Sequence, residues 1–141
     1  MGHILWVEPV FKEMIWGGNQ LKEKYGYAIP SDQTGECWAP SAHPNGDNKI
    51  KEGEFKGQTL SKVFDDHREL FGNIKDKQFP LLVKIIDACN DLSVQVHPND
   101  EYAALHENSL GKTECWYVLD CKEDTKMVMG HHAKTKEELV K

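Results

Sequence analysis

A chain of 141 residues is long enough for one domain that buries roughly 68% of the surface its unfolded form exposes. Its net charge is −6, from 17 basic and 23 acidic residues with no basic stripe, which argues against a nucleic-acid partner. No apolar run approaches the ~20 residues of a membrane span. The N-terminal stretch "MGHILWVEPVF" lacks the basic start and long apolar core of a signal peptide, so the expectation is a cytoplasmic protein with no membrane partner.

The acidic balance also constrains ligands: an anion would need local positive charge from a lysine, an arginine or a metal. Cys37, Cys89, Cys115 and Cys121 form no C-x-x-C pair. Reduced thiols are therefore expected, with neither disulfides nor a finger-type zinc site.

In chain order, "EPVFKEMIWGGNQLKEKYGYAIPSDQTGE" mixes aromatics with glycine and proline, which suggests loops, short helices and connecting strand pieces. "GECWAPSAHPNGDNKI" reads as a strand ending in a turn at Pro44, Asn45, Gly46 and Asp47. "TLSKVFDDHRELFG" is the clearest helix, with Leu60, Val63, Phe64, Leu70 and Phe71 near one face and Gly72 at the stop. "FPLLVKIIDAC" is an apolar run of the kind found in a strand covered on both faces.

"LSVQVHPND" alternates Leu92, Val94 and Val96 with Ser93, Gln95 and His97, the pattern of a strand with one buried face. Asn99 or Asp100 can cap a helix through "EYAALHENS", with Gly111 as its C-terminal glycine. "KTECWYVLD" is another period-two run, with Cys115, Tyr117 and Leu119 as its core-like face, and "TKMVMGHH" is a candidate further strand. Thr135 and Glu138 have the capping-box spacing. Only six residues follow Thr135, so a helix starts and the chain stops, as in a truncated sequence.

Side chains at i and i+2 of a strand share a face, roughly 6.6 Å apart along the backbone. Gln95 with His97 is such a pair, and Lys112 with Glu114 is another. If both pairs face one pocket, they bring together an amide oxygen, an imidazole, an ammonium and a carboxylate. A histidine, a glutamate and one neutral oxygen make a partial shell for zinc that lacks a fourth ligand. Lys112 beside it would neutralise an anionic substrate or intermediate. Taken singly, these residues have plainer readings. A lone histidine on a strand is more often structural or exposed, and Glu114 and Lys112 would be surface residues. His131 and His132 are adjacent and would face opposite ways on a strand. His3, His43, His67 and His106 have no ligand-type spacing, and Trp6 and Trp16 read as core. No Gly-rich phosphate loop or G-x-S-x-G elbow occurs.

"FPLLVKIIDACNDLSVQVHPNDEYA" followed by "GKTECWYVL" closely resembles the type I mannose-6-phosphate isomerases of the short bacterial kind. The resemblance extends to "WGGNQL", "TGECWAPSAHPNG", "TLSKVFDDHRELFG" and "GHHAKTKEEL", and so covers nearly the whole chain. It implies a mainly β fold, a partial cupin-type jelly roll with added α-helices, in which residues 1–141 are the N-terminal part of a longer isomerase. It implies interconversion of mannose 6-phosphate and fructose 6-phosphate, a sugar phosphate as the partner, and one Zn²⁺ per site. Carried over by motif, the metal ligands become Gln95, His97 and Glu114, with a fourth ligand expected beyond residue 141. Lys112 becomes the catalytic lysine near the substrate, Ser93 a phosphate contact, and Glu36 a weaker substrate-binding candidate. The arginine and acidic residue that the family associates with proton transfer would also lie beyond Lys141. The competing expectation is a non-catalytic cupin module that binds metal or sugar phosphate, or self-associates through uncovered sheet edges.

Overall fold

The computed structural model describes residues 4–140; His3 lies outside the described residues. The chain forms two compact units, Met1–Leu92 and Ser93–Lys141. Among the described residues no helix is long and apolar enough to cross a membrane.

The first unit is built on an antiparallel sheet. Strand β1 spans Val10–Gly18, and a single-turn helix, α1, follows at Gln20–Glu23. Strand β2 spans Thr34–His43 and turns through Pro44–Asn45 into the two-residue strand β3, Gly46–Asp47. Strand β4 spans Leu82–Ile86. β2 is the central strand, paired with β1 on one side and β4 on the other. The nine-residue β1 departs from the loops and strand pieces expected of this stretch. Its register with β2 is interrupted between Lys12 and Glu13 and again between Glu13 and Gly18, which erases the period-two pattern a regular strand would print. The strand expected at "GECW" is where it was expected, and the turn after it is confined to Pro44–Asn45, because Gly46 and Asp47 pair back onto β2.

Thr59 starts helix α2, Leu60–Asp66, by accepting a hydrogen bond from the Lys62 N–H. A 3₁₀ turn over Arg68–Phe71 continues it, and Gly72 ends it at φ +71°, where a side chain would be strained. Leu60, Val63 and Phe64 are buried, and the core joins Ile50, Phe55, Leu60 and Val63 with half-buried neighbours that include Val7 and Leu70. Phe64, Phe71 and Phe79 meet edge-to-face with centroids 5.1 to 5.9 Å apart. Burying one such ring stabilises the fold by about 1.5–3 kcal/mol. Asn48 is fully buried and ties the β2–β3 turn down. Its Oδ1 accepts from the Ser41 N–H at 2.6 Å, while Nδ2 donates to the carbonyls of Glu8 and Trp38 at 3.0 Å. β4 is not covered on both faces as expected: Val83 is 44% exposed, and Leu81, just before the strand, is 57% exposed. Among the described residues it pairs on one side, with β2, and an antiparallel edge strand commonly buries a single face.

The second unit contains helix α3, Asp100–His106, and helix α4, Lys136–Leu139. Asn99 caps α3 by accepting from the Tyr102 N–H at 2.9 Å. Thr135 caps α4 by accepting from the Glu138 N–H at 3.3 Å. The return arm of that cap runs from the Lys134 N–H to Glu138 Oε2 at 2.7 Å, one residue before the position of a regular box.

The three strands expected in this half do not form ladders among the described residues. Val94 and Val96 are 75% and 77% exposed. The core-like face assigned to Cys115, Tyr117 and Leu119 is exposed, as are Met127, Val128 and Met129. Alternation reports that a segment has two chemically different faces. It supplies neither the neighbouring strand that pairs its N–H and C=O groups nor the layer that buries its apolar face.

Candidate functional site

In the second unit a short loop with a helix in it sets the geometry. The chain leaves His97 through Pro98, runs along α3, and returns at Gly111. There the Gly111 N–H donates to Asp100 Oδ1 at 2.9 Å and the Lys112 N–H to the Pro98 carbonyl at 3.1 Å. The return is tight enough to require glycine. A Cβ on Gly111 would lie 2.5 Å from the Asn99 carbonyl carbon and the Asp100 nitrogen. Gly111 therefore serves as a close-approach residue and does not end α3 as expected. α3 ends at His106, four residues before Leu110.

This closure brings together residues 15 positions apart. Lys112 Nζ lies 3.1 Å from His97 Nε2 and forms an ion pair with Glu114 Oε2. His97 Nε2 and Glu114 Oε2 are 3.6 Å apart. Trp116 Nε1 donates to the other carboxylate oxygen, Glu114 Oε1, at 2.8 Å. The three polar side chains are partly shielded, with His97 27%, Glu114 30% and Lys112 42% exposed. The hydrogen bond from Lys112 holds the Glu114 carboxyl below its ordinary pKa. Partial burial opposes that shift, while the Trp116 hydrogen bond and the charges of Lys112 and His97 reinforce it. Beside the cluster is an open cleft of about 740 Å³, with Val96, Pro98, Tyr102, Glu107 and Leu110 among its lining residues.

Gln95 and Ser93 form a separate pair in which Gln95 Nε2 donates to Ser93 Oγ at 3.1 Å. Both are exposed, and no hydrogen bond joins either to His97, Lys112 or Glu114 among the described residues. Three of the six residues singled out from sequence thus converge. Two donors at a separation of 3.6 Å suit one ion bonded to each at about 2.0–2.1 Å. No third His, Cys, Asp or Glu joins them among the described residues, so a further donor from this unit would have to be of another kind, such as the Gln95 amide oxygen.

Glu36 lies in the first unit on β2, with only 6% of its surface exposed. Its Oε2 accepts from Trp38 Nε1 at 2.6 Å and pairs with Lys84 Nζ at 3.0 Å. The ammonium groups of Lys12 and Lys84 lie 4.9 and 4.7 Å from the Trp38 ring centroid. Trp38 and Lys84 were missed in the sequence, although both left a signal. Trp38 is the i+2 neighbour of Glu36 on the same strand face, and Lys84 is the one charge inside an apolar strand.

Comparison with known proteins gives this arrangement a family. The model for the type I phosphomannose isomerase catalytic domain matches residues 4–129, and the chain belongs to that family. It is 60% identical over 139 residues to the probable mannose-6-phosphate isomerase GmuF of Bacillus subtilis, covering 98% of this chain and 44% of that protein. It is 53% identical over 139 residues to the mannose-6-phosphate isomerase of Streptococcus mutans, covering 99% of this chain and again 44% of the relative. Among solved structures, the mannose 6-phosphate isomerase from Bacillus subtilis aligns with a TM-score of 0.94 at 51% identity, over 96% of this chain and 44% of that one. The chain spans less than half the length of these relatives.

Proposed function

We propose that this chain carries part of the active site of a zinc-dependent aldose–ketose isomerase that interconverts mannose 6-phosphate and fructose 6-phosphate, on a cupin-type jelly roll. The observation that carries this reading is the convergence of His97 Nε2, Lys112 Nζ and Glu114 Oε2 within 3.6 Å, at residues of a chain that belongs to this family. His97 and Glu114 would hold the metal together with Gln95, whose amide is oriented by its hydrogen bond to Ser93. A fourth ligand would come from the length of the relatives that this chain does not span. When bound, the metal supplies positive charge against which negative charge on the sugar oxygens is stabilised.

The chain's own residues then have distinct tasks. Lys112 places an ammonium at the mouth of the cleft, where it can neutralise an anionic sugar phosphate or its enediolate. Trp116 fixes the Glu114 carboxylate by binding its second oxygen. Ser93 is exposed and offers a hydroxyl to phosphate.

The test is a chimera with this chain placed ahead of the remaining length of the Bacillus subtilis relative and assayed for mannose 6-phosphate conversion. Turnover that EDTA removes and zinc restores is expected, with both zinc content and turnover lost in His97→Ala. Full zinc content in His97→Ala would refute the ligand assignment.

A second reading, a self-associating module, is favoured by the exposure of Val94, Val96, Tyr117, Leu119 and Met129 in the second unit. Light scattering of the isolated chain at micromolar concentration tests it, and a monomer rejects it.

A further inference from the structure

We propose that Lys112 is an internal competitor for the metal position: its ammonium and a divalent ion are alternative occupants of the space between His97 Nε2 and Glu114 Oε2. The inference rests on the metal reading above and adds a role for Lys112 that precedes any contact with substrate.

The geometry is direct. Lys112 Nζ is 3.1 Å from His97 Nε2 and paired with Glu114 Oε2, and those two atoms are 3.6 Å from each other. A zinc ion bonded to both would sit about 2.0–2.1 Å from each. Every point that meets this condition lies in contact with the ammonium nitrogen. Two cations at that separation, sharing the same two acceptors, repel strongly. Seating the ion therefore requires the ammonium to leave.

Lysine suits this exchange. It is a compact point charge on a flexible four-carbon stem and can swing without moving its backbone, which the Pro98 carbonyl holds at 3.1 Å. The adjoining cleft has room for it, and Glu107 on its wall offers a new carboxylate partner. Loading the ion would thus deliver a cation into the cleft, where an anionic sugar phosphate would meet it. An ion whose site is open for only a fraction of the time binds with an apparent affinity reduced by that fraction.

The experiment measures zinc affinity of the purified chain by competition with a chromophoric chelator. The variants are Lys112→Met, Lys112→Gln and Lys112→Arg, each also combined with His97→Ala and checked for fold by circular dichroism. Lys112→Met and Lys112→Gln should bind zinc about tenfold more tightly than the parent chain, and Lys112→Arg, which keeps the charge, should not. Equal or weaker binding in both neutral variants, with zinc still lost on adding His97→Ala, overturns the proposal and leaves the metal reading standing. Zinc binding that ignores His97→Ala, or is absent from every variant even when each is carried in the chimera above, overturns both.

Discussion

The two units of this chain respond differently to the same kind of sequence pattern. In the first, β2 has a partner on each side, its side chains are mostly buried, and helix α2 closes a core around Val63 and Phe64. In the second, the segments around Val94 and Tyr117 alternate more cleanly than β1 does, yet neither enters a ladder among the described residues. A strand is a relationship between segments, whereas a helix turn or cap is a property of one. The second unit accordingly keeps everything that local bonding can supply: the Asn99 and Thr135 caps, the Gly111 return and the ionic cluster. The burial that only a facing layer can supply is missing from these segments.

Core truncation should break this contrast open most visibly. Phe64→Ala should cost about 3–5 kcal/mol in urea unfolding, because the ring is fully buried and packed against Phe71 and Phe79. Tyr117→Ala, at 87% exposure, should change stability by no more than about 0.5 kcal/mol. Comparable losses at the two positions would mean that the Tyr117 segment is packed in solution. A smaller effect is expected within the second unit. Gly111→Ala should cost about 1–3 kcal/mol, because its Cβ meets backbone atoms that have no flexible end to move. Its signature in a ¹⁵N NMR spectrum should be shifted His97 and Lys112 resonances with the first unit's amide signals unchanged.

The smallest effect is one of reactivity. Burial pushes the Cys37 thiol upward in pKa and also screens it, whereas Cys89, Cys115 and Cys121 are exposed. At pH 8 a thiol reagent should label three cysteines promptly and Cys37 only on unfolding. The sign for stability follows. A raised folded-state pKa leaves this contribution intact below the unfolded thiol's value of about 8.5 and erodes it as pH climbs through the folded value. A fourth prompt label, read by mass spectrometry, would show that β2 opens readily.

How much could be read in advance depended on how far apart the partners lie. Helix α2, its Gly72 stop, the turn after β2 and the Asn99 and Thr135 caps were legible because their causes sit within a few residues. The Lys112–Glu114 contact was visible as an i, i+2 pair, and the motif resemblance tied it to His97. The role of Gly111 was not, because a close approach to the Asn99–Asp100 peptide leaves no periodic trace. β1 was obscured by its register breaks. The apolar faces around Val94 and Tyr117 were legible as faces but misread as buried, since the pattern cannot say whether anything lies opposite. Trp38 and Lys84 went unnoticed as partners of Glu36, one because indoles are usually assigned to core, the other because a lysine in a strand passes for surface.

The loop between His97 and Lys112 also has a bearing on how the molecule folds. Its ends are 15 residues apart, whereas Glu36 and Lys84 are separated by 48. Chain-closure entropy puts the shorter loop ahead by about 1 kcal/mol, and closures of such length take on the order of 10–100 ns, far faster than sheet assembly. The ionic trio can thus form from its own stretch of chain soon after that stretch is free to move. The Glu36–Lys84 pair must wait until β2 and β4 have found each other.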